Sequence, residues 1–299
     1  MRRHGTPAWS GQATSRTRIG STPMHPLPRA VLAGTGDTAA WRCRDTGLVW
    51  SRPLPSSVEV ALAVVSDELA ALSQSQPVRL VVHGSLALGG FHPVASDVDV
   101  LAIVDDAVSV PAHGWQSFGA RLVSRSFPGR GLELSVVSAG AAADPRPPWP
   151  FLLHVTTGAS TSKVVIGTAR RGDPDLLMHY AVARAVGIVN GDAQLTDLIG
   201  AVDRTTVLRY LADELMWGEQ HAGEAYVVLN AGRALRFLRD GALVSKLDGA
   251  DAAIAAGVPT AIVERAVAVQ HGRLLDRMPT EPARRLVRHA RHLLLDAAT

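Results

Sequence analysis

Cysteine is nearly absent from this chain of 299 residues: Cys43 stands alone, so no internal disulfide and no thiolate zinc site can form. Paired-cysteine and His-Glu-x-x-His motifs are missing too, which removes the usual zinc enzymes from consideration. Long apolar runs are also lacking. The longest uncharged stretch, Leu80 to Ser96, has seventeen residues interrupted by Gly, His and Pro. That is below the roughly 18–20 apolar residues a membrane span needs, so no membrane association is expected. No basic segment leading into an apolar one opens the sequence, and with a single cysteine a reducing cytoplasm is the expected compartment. Lysine is scarce as well: Lys163 and Lys246 stand against 28 arginines, which makes each ammonium worth a question.

The formal net charge of +3 divides unevenly, with +5 on residues 1–50 and −2 on residues 51–299. A near-neutral body lacks the long basic track a polyanion needs, so nucleic acid is not expected as a partner. A hydrophobic content of 47% is ample for buried cores and excludes disorder of the whole. Residues 1–50, rich in Gly, Ser, Thr, Pro and Arg without apolar periodicity, read as a disordered tail, with Met24 inside it as an alternative start.

Beyond the tail, Ser56-Ser57-Val58-Glu59 has the form of a capping box, and the apolar spacing after it predicts a helix to about Ser73. Val78 to Val82, Asp97 to Val104 and Leu132 to Val137 read as strands, with a strand-to-helix turn at His83-Gly84-Ser85 and a helix over 115–125. Asp173-Pro174 opens a helix through about Val186. From Arg204 onward nearly everything reads as helix: 204–217, 223–240 closed by Gly241, 259–277 and 281–297. Strands interleaved with helices predict an α/β domain over 51–203, its mixed sheet flanked by helices, and the remainder predicts a C-terminal α-helical bundle over 204–299.

The segment that carries chemistry is His83-Gly-Ser-Leu-Ala-Leu-Gly-Gly-Phe-His-Pro-Val-Ala-Ser-Asp-Val-Asp99. Gly84 permits a sharp turn and close approach of the backbone to a ligand, while Ser85 and neighbouring amides can donate to phosphate oxygens. Asp97 and Asp99, two apart on a strand, project from one face. Two carboxylates held side by side repel unless a cation lies between them, which suits one or two Mg²⁺ bridging a triphosphate. On the third strand Leu132, Leu134 and Val136 share a face, leaving Glu133 on the other, an acid that is costly to bury without a metal or a proton-transfer partner.

This order of strand, Gly-Ser turn, Asp-x-Asp strand and acid-bearing strand resembles the nucleotidyltransferase superfamily that includes DNA polymerase β. Within it, Leu-Glu-Leu-Ser-Val-Val at 132–137, Pro-Trp at 148–149 and Tyr-Val-Val-Leu-Asn-Ala-Gly-Arg at 226–233 make the chain similar to the spectinomycin/streptomycin adenylyltransferase family over roughly residues 55–275. The resemblance implies Mg²⁺ on Asp97 and Asp99, Glu133 as the catalytic base, and ATP phosphates on Ser85 and Ser96 beside Gly84. It also carries over two cations from the helical part, Arg233 and Lys246, thirteen residues apart, as clamps on the triphosphate.

From Tyr210 to Gly232 every charged residue is acidic, Asp213, Glu214, Glu219 and Glu224, a patch that could hold a polyamine-like cation. Trp217 lies within it, where an aromatic face can stack on a sugar or cyclitol. The resemblance matches Trp217 to a Trp placed in a loop before the Val-Val-Leu helix and makes Glu219 and Glu224 the candidate acceptor contacts. The chain is about three residues short of the family pattern there, which leaves the drug open. His83, His154 and His179 lie in apolar stretches and read as satisfied core histidines; His289 and His292 read as surface. The expected activity is transfer of AMP from ATP to an aminoglycoside or aminocyclitol by a monomer. A protein or RNA acceptor and a non-catalytic nucleotide-binding regulator are the alternatives.

Overall fold

A computed structural model of the chain describes residues 48–74, 76–158, 162–168 and 172–299. Residues 1–47, most of the segment read as a tail, lie outside the described residues. The order of elements is α1 (Ser56–Leu72), β1 (Val78–Val82), α2 (Gly84–Ala87), β2 (Val98–Val104), α3 (Ala112–Val123), β3 (Leu132–Ser138), α4 (Ala139–Ala143), β4 (Leu153–Thr156) and β5 (Lys163–Ile166). There follow α5 (Leu176–Val186), β6 (Ile188–Val189), α6 (Leu195–Leu198), α7 (Arg204–His221), α8 (Glu224–Asp240), α9 (Gly249–Ala255), α10 (Thr260–Gln270) and α11 (Glu281–Asp296). Among the described residues no helix is long and apolar enough to cross a membrane.

The strands form a mixed sheet in the order β5-β4-β3-β2-β1-β6, as the α/β reading anticipates. β2 and β3 are the parallel pair, joined through α3, and the remaining neighbours run antiparallel. Alternation sorts the side chains onto two faces. Val98, Val100, Ala102 and Val104 pack with Leu132, Leu134 and Val136 against α1 and α3. Leu101, Ile103, Val81 and Val137 join a second core made with α5 and the C-terminal helices. Asp99, Glu133 and His83 share the parity of this second face, so the acids of the sheet point toward the helices.

Among the C-terminal helices α8 is central: α7, α9, α10 and α11 all pack on it. The approach of α9 is close enough that a Cβ on Gly232 would overlap the Gly249 carbonyl. Gly241 ends α8 with φ 73°, the left-handed cap that the sequence predicts.

Several boundaries differ from expectation. α1 forms where predicted, but Pro55 is its cap and no side chain caps it: Ser56 already lies inside the helix, and the first amides bond to the Pro55 carbonyl. α10 stops at Gln270 instead of running to 277, because Gly272, at φ 68°, turns the chain out of the helix. β4, β5 and α9 went unread: the strands have four residues each, too few for a period, and the Ala-rich α9 carries little apolar contrast.

Candidate active site

β2 and β3 pair in register so that Asp99 lies directly beside Glu133. Asp97 immediately precedes β2, and its carboxylate is within 3.2 Å of the Arg130 guanidinium. Gly84 brings the chain from β1 over the Asp99 carboxylate with φ 56°, a left-handed conformation, and a Cβ at this position would overlap that carboxylate. The Ser85 amide donates to Asp99 Oδ2 at 3.3 Å, so this N–H is spent on the carboxylate and not free for a phosphate. The Ser85 hydroxyl, by contrast, is buried with no partner among the described residues. Ser96 Oγ accepts from the His92 amide at 3.0 Å and closes the turn ahead of Asp97.

Two adjoining cavities open on this face. One, of about 640 Å³, is lined by Ser85, Ser96, Asp97, Asp99, Arg130, Glu133, Arg233 and Lys246. The other, of about 320 Å³, shares Gly84, Asp99, Glu133, Tyr226, Arg233 and Lys246 and continues to His83, His179, Tyr210, Glu214 and Asn230. Arg233 on α8 is held by the Val244 carbonyl at 2.9 Å and Asn230 Oδ1 at 3.1 Å. Lys246 Nζ lies 5.6 Å from the Tyr226 ring centroid.

The electrostatics are unbalanced in two opposite ways. Burial, reinforced by the Glu133 and Asp97 charges and offset in part by the Ser85 amide, pushes Asp99 up to about 8. Burial raises Asp97 also, against Arg130. On the helical side burial and the neighbouring Arg233 draw Lys246 below its ordinary value, and burial lowers Arg233. Three acids with Arg130 beside them line the sheet wall, and Arg233 and Lys246 line the helical one.

Among the described residues no three His, Cys, Asp or Glu are grouped so as to hold a metal by themselves. Asp97 and Asp99 nevertheless offer hard oxygen donors, and Mg²⁺ is commonly held by one or two carboxylates completed by substrate phosphates and water. Asp99, charged only at a cost, gains most from a cation.

The structure separates the three residues read as acceptor contacts from this cleft. Trp217 belongs to α7 and not to a loop; it stacks on His221 with ring centroids 5.3 Å apart and meets Tyr226 edge-on at 6.0 Å. Glu219 faces Arg288 of α11 at 3.7 Å. Glu224 is 2% exposed, and its carboxylate accepts from Arg277 Nε at 2.6 Å, from the Thr280 amide at 3.0 Å and from the Thr280 hydroxyl. Burial pulls Glu224 upward, but these hydrogen bonds outweigh it and hold the group below its ordinary value. Glu224→Gln is therefore expected to lower Tm at pH 7 by several degrees and to leave acceptor KM unchanged; thermal unfolding and steady-state kinetics check both. Of the acidic run, Glu214 lines the smaller cavity, and it accepts from the Tyr226 hydroxyl.

Two of the three core histidines depart from expectation. His154 is satisfied, by Ser135 at 3.1 Å and Thr156 at 3.3 Å. His83 Nε2 and His179 Nδ1 are buried without hydrogen-bond partners among the described residues, and both rings line the smaller cavity. His83 shares the parity of Val81 on the acid-bearing face, a signal the sequence offered.

Residues 62–131 match a family model described as a nucleotidyltransferase domain. The chain is similar in structure to spectinomycin adenyltransferase AAD(9) from Enterococcus faecialis, determined with ATP and spectinomycin, at a TM-score of 0.57 and 16% identity, over 78% of this chain and 97% of that one. None of the curated proteins matches the sequence. The domain match and the shared fold support a nucleotidyltransferase.

Proposed function

We propose that this chain transfers AMP from ATP to a hydroxyl group of an aminoglycoside or aminocyclitol, releasing pyrophosphate. One observation carries the reading: Asp97, Asp99 and Glu133 from the sheet line the same cavity as Arg233 and Lys246 from the helical side. Crowded carboxylates call for a cation and crowded cations for an anion, and a magnesium triphosphate answers both. On this reading residues 51–203 supply the acids and 204–299 the clamp. The similarity to an enzyme determined with ATP and spectinomycin supports the same pairing of ligands.

Asp97 and Asp99 would hold Mg²⁺, which when bound supplies charge neutralisation at the triphosphate. Arg233 and Lys246 bind its oxygens, with the Ser85 hydroxyl, unpartnered among the described residues, as a further donor and Ser96 beside it. Glu133 accepts the proton of the acceptor hydroxyl, whose oxygen bonds to the α-phosphorus as the bond to the pyrophosphate oxygen breaks. Glu214, at the wall of the smaller cavity, offers a carboxylate to an acceptor amine. Burial keeps Glu214 above its ordinary value, partly offset by the Tyr226 hydrogen bond, so an incoming ammonium would find a group that gains by ionising beside it.

A pyrophosphate-release screen with ATP and GTP against aminoglycosides and aminocyclitols, with mass spectrometry of the products, tests the proposal. The expected result is a drug heavier by one adenylyl group, AMP less water, lost in Glu133→Gln while the far-UV circular dichroism stays unchanged. AMP on a protein or RNA and on no drug, or no pyrophosphate with any acceptor, would overturn it.

A further inference from the structure

We propose that Asn230 is the positioning residue of the phosphate clamp: its amide oxygen holds the Arg233 guanidinium in place and leaves the charge of that group free for the triphosphate. This inference rests on Arg233 being a ligand of the triphosphate. Asn230 and Arg233 lie three residues apart on one face of α8, and Arg233 Nη1 donates to Asn230 Oδ1 at 3.1 Å. Arg233 Nε donates to the Val244 carbonyl at 2.9 Å, in the segment that carries Lys246 two residues later. Of the five N–H groups a guanidinium carries, two are spent in this way and three are left. Arg233 lines both cavities.

Both holders are neutral. Among the described residues no carboxylate is within ion-pair reach of Arg233, whereas Arg121 and Arg125 share Glu68, Arg236 meets Asp240 and Arg277 meets Glu224. Burial works against the charge of Arg233, and Tyr226, Glu214 and Asp99 favour it only from beyond hydrogen-bond distance. Lys246 repeats the pattern, since its ammonium rests over the neutral ring of Tyr226, 5.6 Å from the centroid.

An amide and a carboxylate differ at this position in charge and not in size. Arginine has donors only, so the amide oxygen must face it and the orientation of the Asn230 side chain is assigned by its partner. Aspartate would accept the same hydrogen bond, but its charge would pair with the guanidinium and repel the phosphate oxygens that have to bind there. With no acceptor at 230 the guanidinium would keep only the Val244 bond, and the long arginine side chain would regain rotational freedom that phosphate binding must then remove.

Two variants of the full chain test this, Asn230→Asp and Asn230→Ala, each read in two ways. Calorimetry with magnesium ATP and with magnesium tripolyphosphate measures phosphate affinity, and side-chain ¹⁵N NMR of arginine measures how fast the Arg233 guanidinium rotates. Both variants are expected to bind both probes at least about tenfold more weakly than the wild type. The NMR readout is expected to part them: rotation stays slow in Asn230→Asp, which keeps an acceptor, and becomes fast in Asn230→Ala. A merely structural role would not produce that split. Wild-type affinity in either variant, or slow rotation in Asn230→Ala, overturns the inference and leaves the proposed function standing. If Asn230→Ala does not fold, Asn230→Asp decides alone, by weak binding with slow rotation or by its absence. A wild-type chain that binds neither probe fails the proposed function instead, and the rotation of Arg233 then decides whether Asn230 holds it.

Discussion

Asp99→Asn is expected to reduce nucleotidyl transfer by at least about 10²–10³-fold, the cost of removing one well-placed electrostatic group, and at the same time to make the protein more stable above neutral pH. The second half follows from the raised ionisation of Asp99. Its carboxyl titrates at about 8 in the folded chain against an ordinary 3.8. Between those values the native state holds a proton that the unfolded chain has lost, so stability falls as pH rises through the window, by at most ~1.4 kcal/mol per pH unit. Asparagine fills the same space without titrating. The Tm advantage of the variant, measured without nucleotide or divalent cation, should therefore be small near pH 5 and largest near pH 8. Mg-ATP should raise the wild-type Tm and not that of the variant, since a ligand that binds only the folded state stabilises it. Parallel Tm curves across that range would mean that Asp99 carries no electrostatic load.

The acids were legible in the sequence because strand alternation is a strict period. Asp99 and Glu133 each interrupt an apolar strand at the parity that faces the helical side, Asp97 keeps that parity just ahead of β2, and register alone brings Asp99 beside Glu133. Arg233 and Lys246 were not legible in that way: no local pattern says that α8 and the loop after it fold back over the sheet, and the resemblance pointed to both, with the scarcity of lysine as the one other mark on Lys246. The acceptor side failed for a related reason. Glu224 lies in an acidic run, but the partners that consume its charge, Arg277 and Thr280, come from more than fifty residues away. Acidity in sequence marked the run, whereas tertiary contacts chose Glu214 as the acid at the cavity.

His83 and His179 mark the other limit. A histidine in an apolar stretch is ordinarily satisfied, as His154 is, and nothing in the spacing of His83 and His179 indicates that two distant segments bring their rings into tilted contact. Their separation in sequence hides a contact made where α5 packs against α2, which His83 immediately precedes.

Gly84→Ala and Gly89→Ala separate backbone strain from crowding of the site. Both glycines have positive φ, 56° and 74°, and an L-residue there costs roughly 1–2 kcal/mol. They differ in surroundings. A Cβ on Gly89 meets nothing within 4 Å, whereas one on Gly84 would overlap the Asp99 carboxylate. Gly89→Ala is therefore expected to lose only the strain energy, a Tm drop of a few degrees with kcat/KM near wild type. Gly84→Ala must also displace Asp99 or unwind the turn that carries Ser85, and misplacement by about 1 Å at a reacting centre can cost about 10²-fold. The expected outcome is loss of transfer by at least that factor, weaker nucleotide binding by calorimetry, and a larger fall in Tm than in Gly89→Ala. Equal effects of the two substitutions on activity would show that the close approach of Gly84 to Asp99 plays no part in building the site.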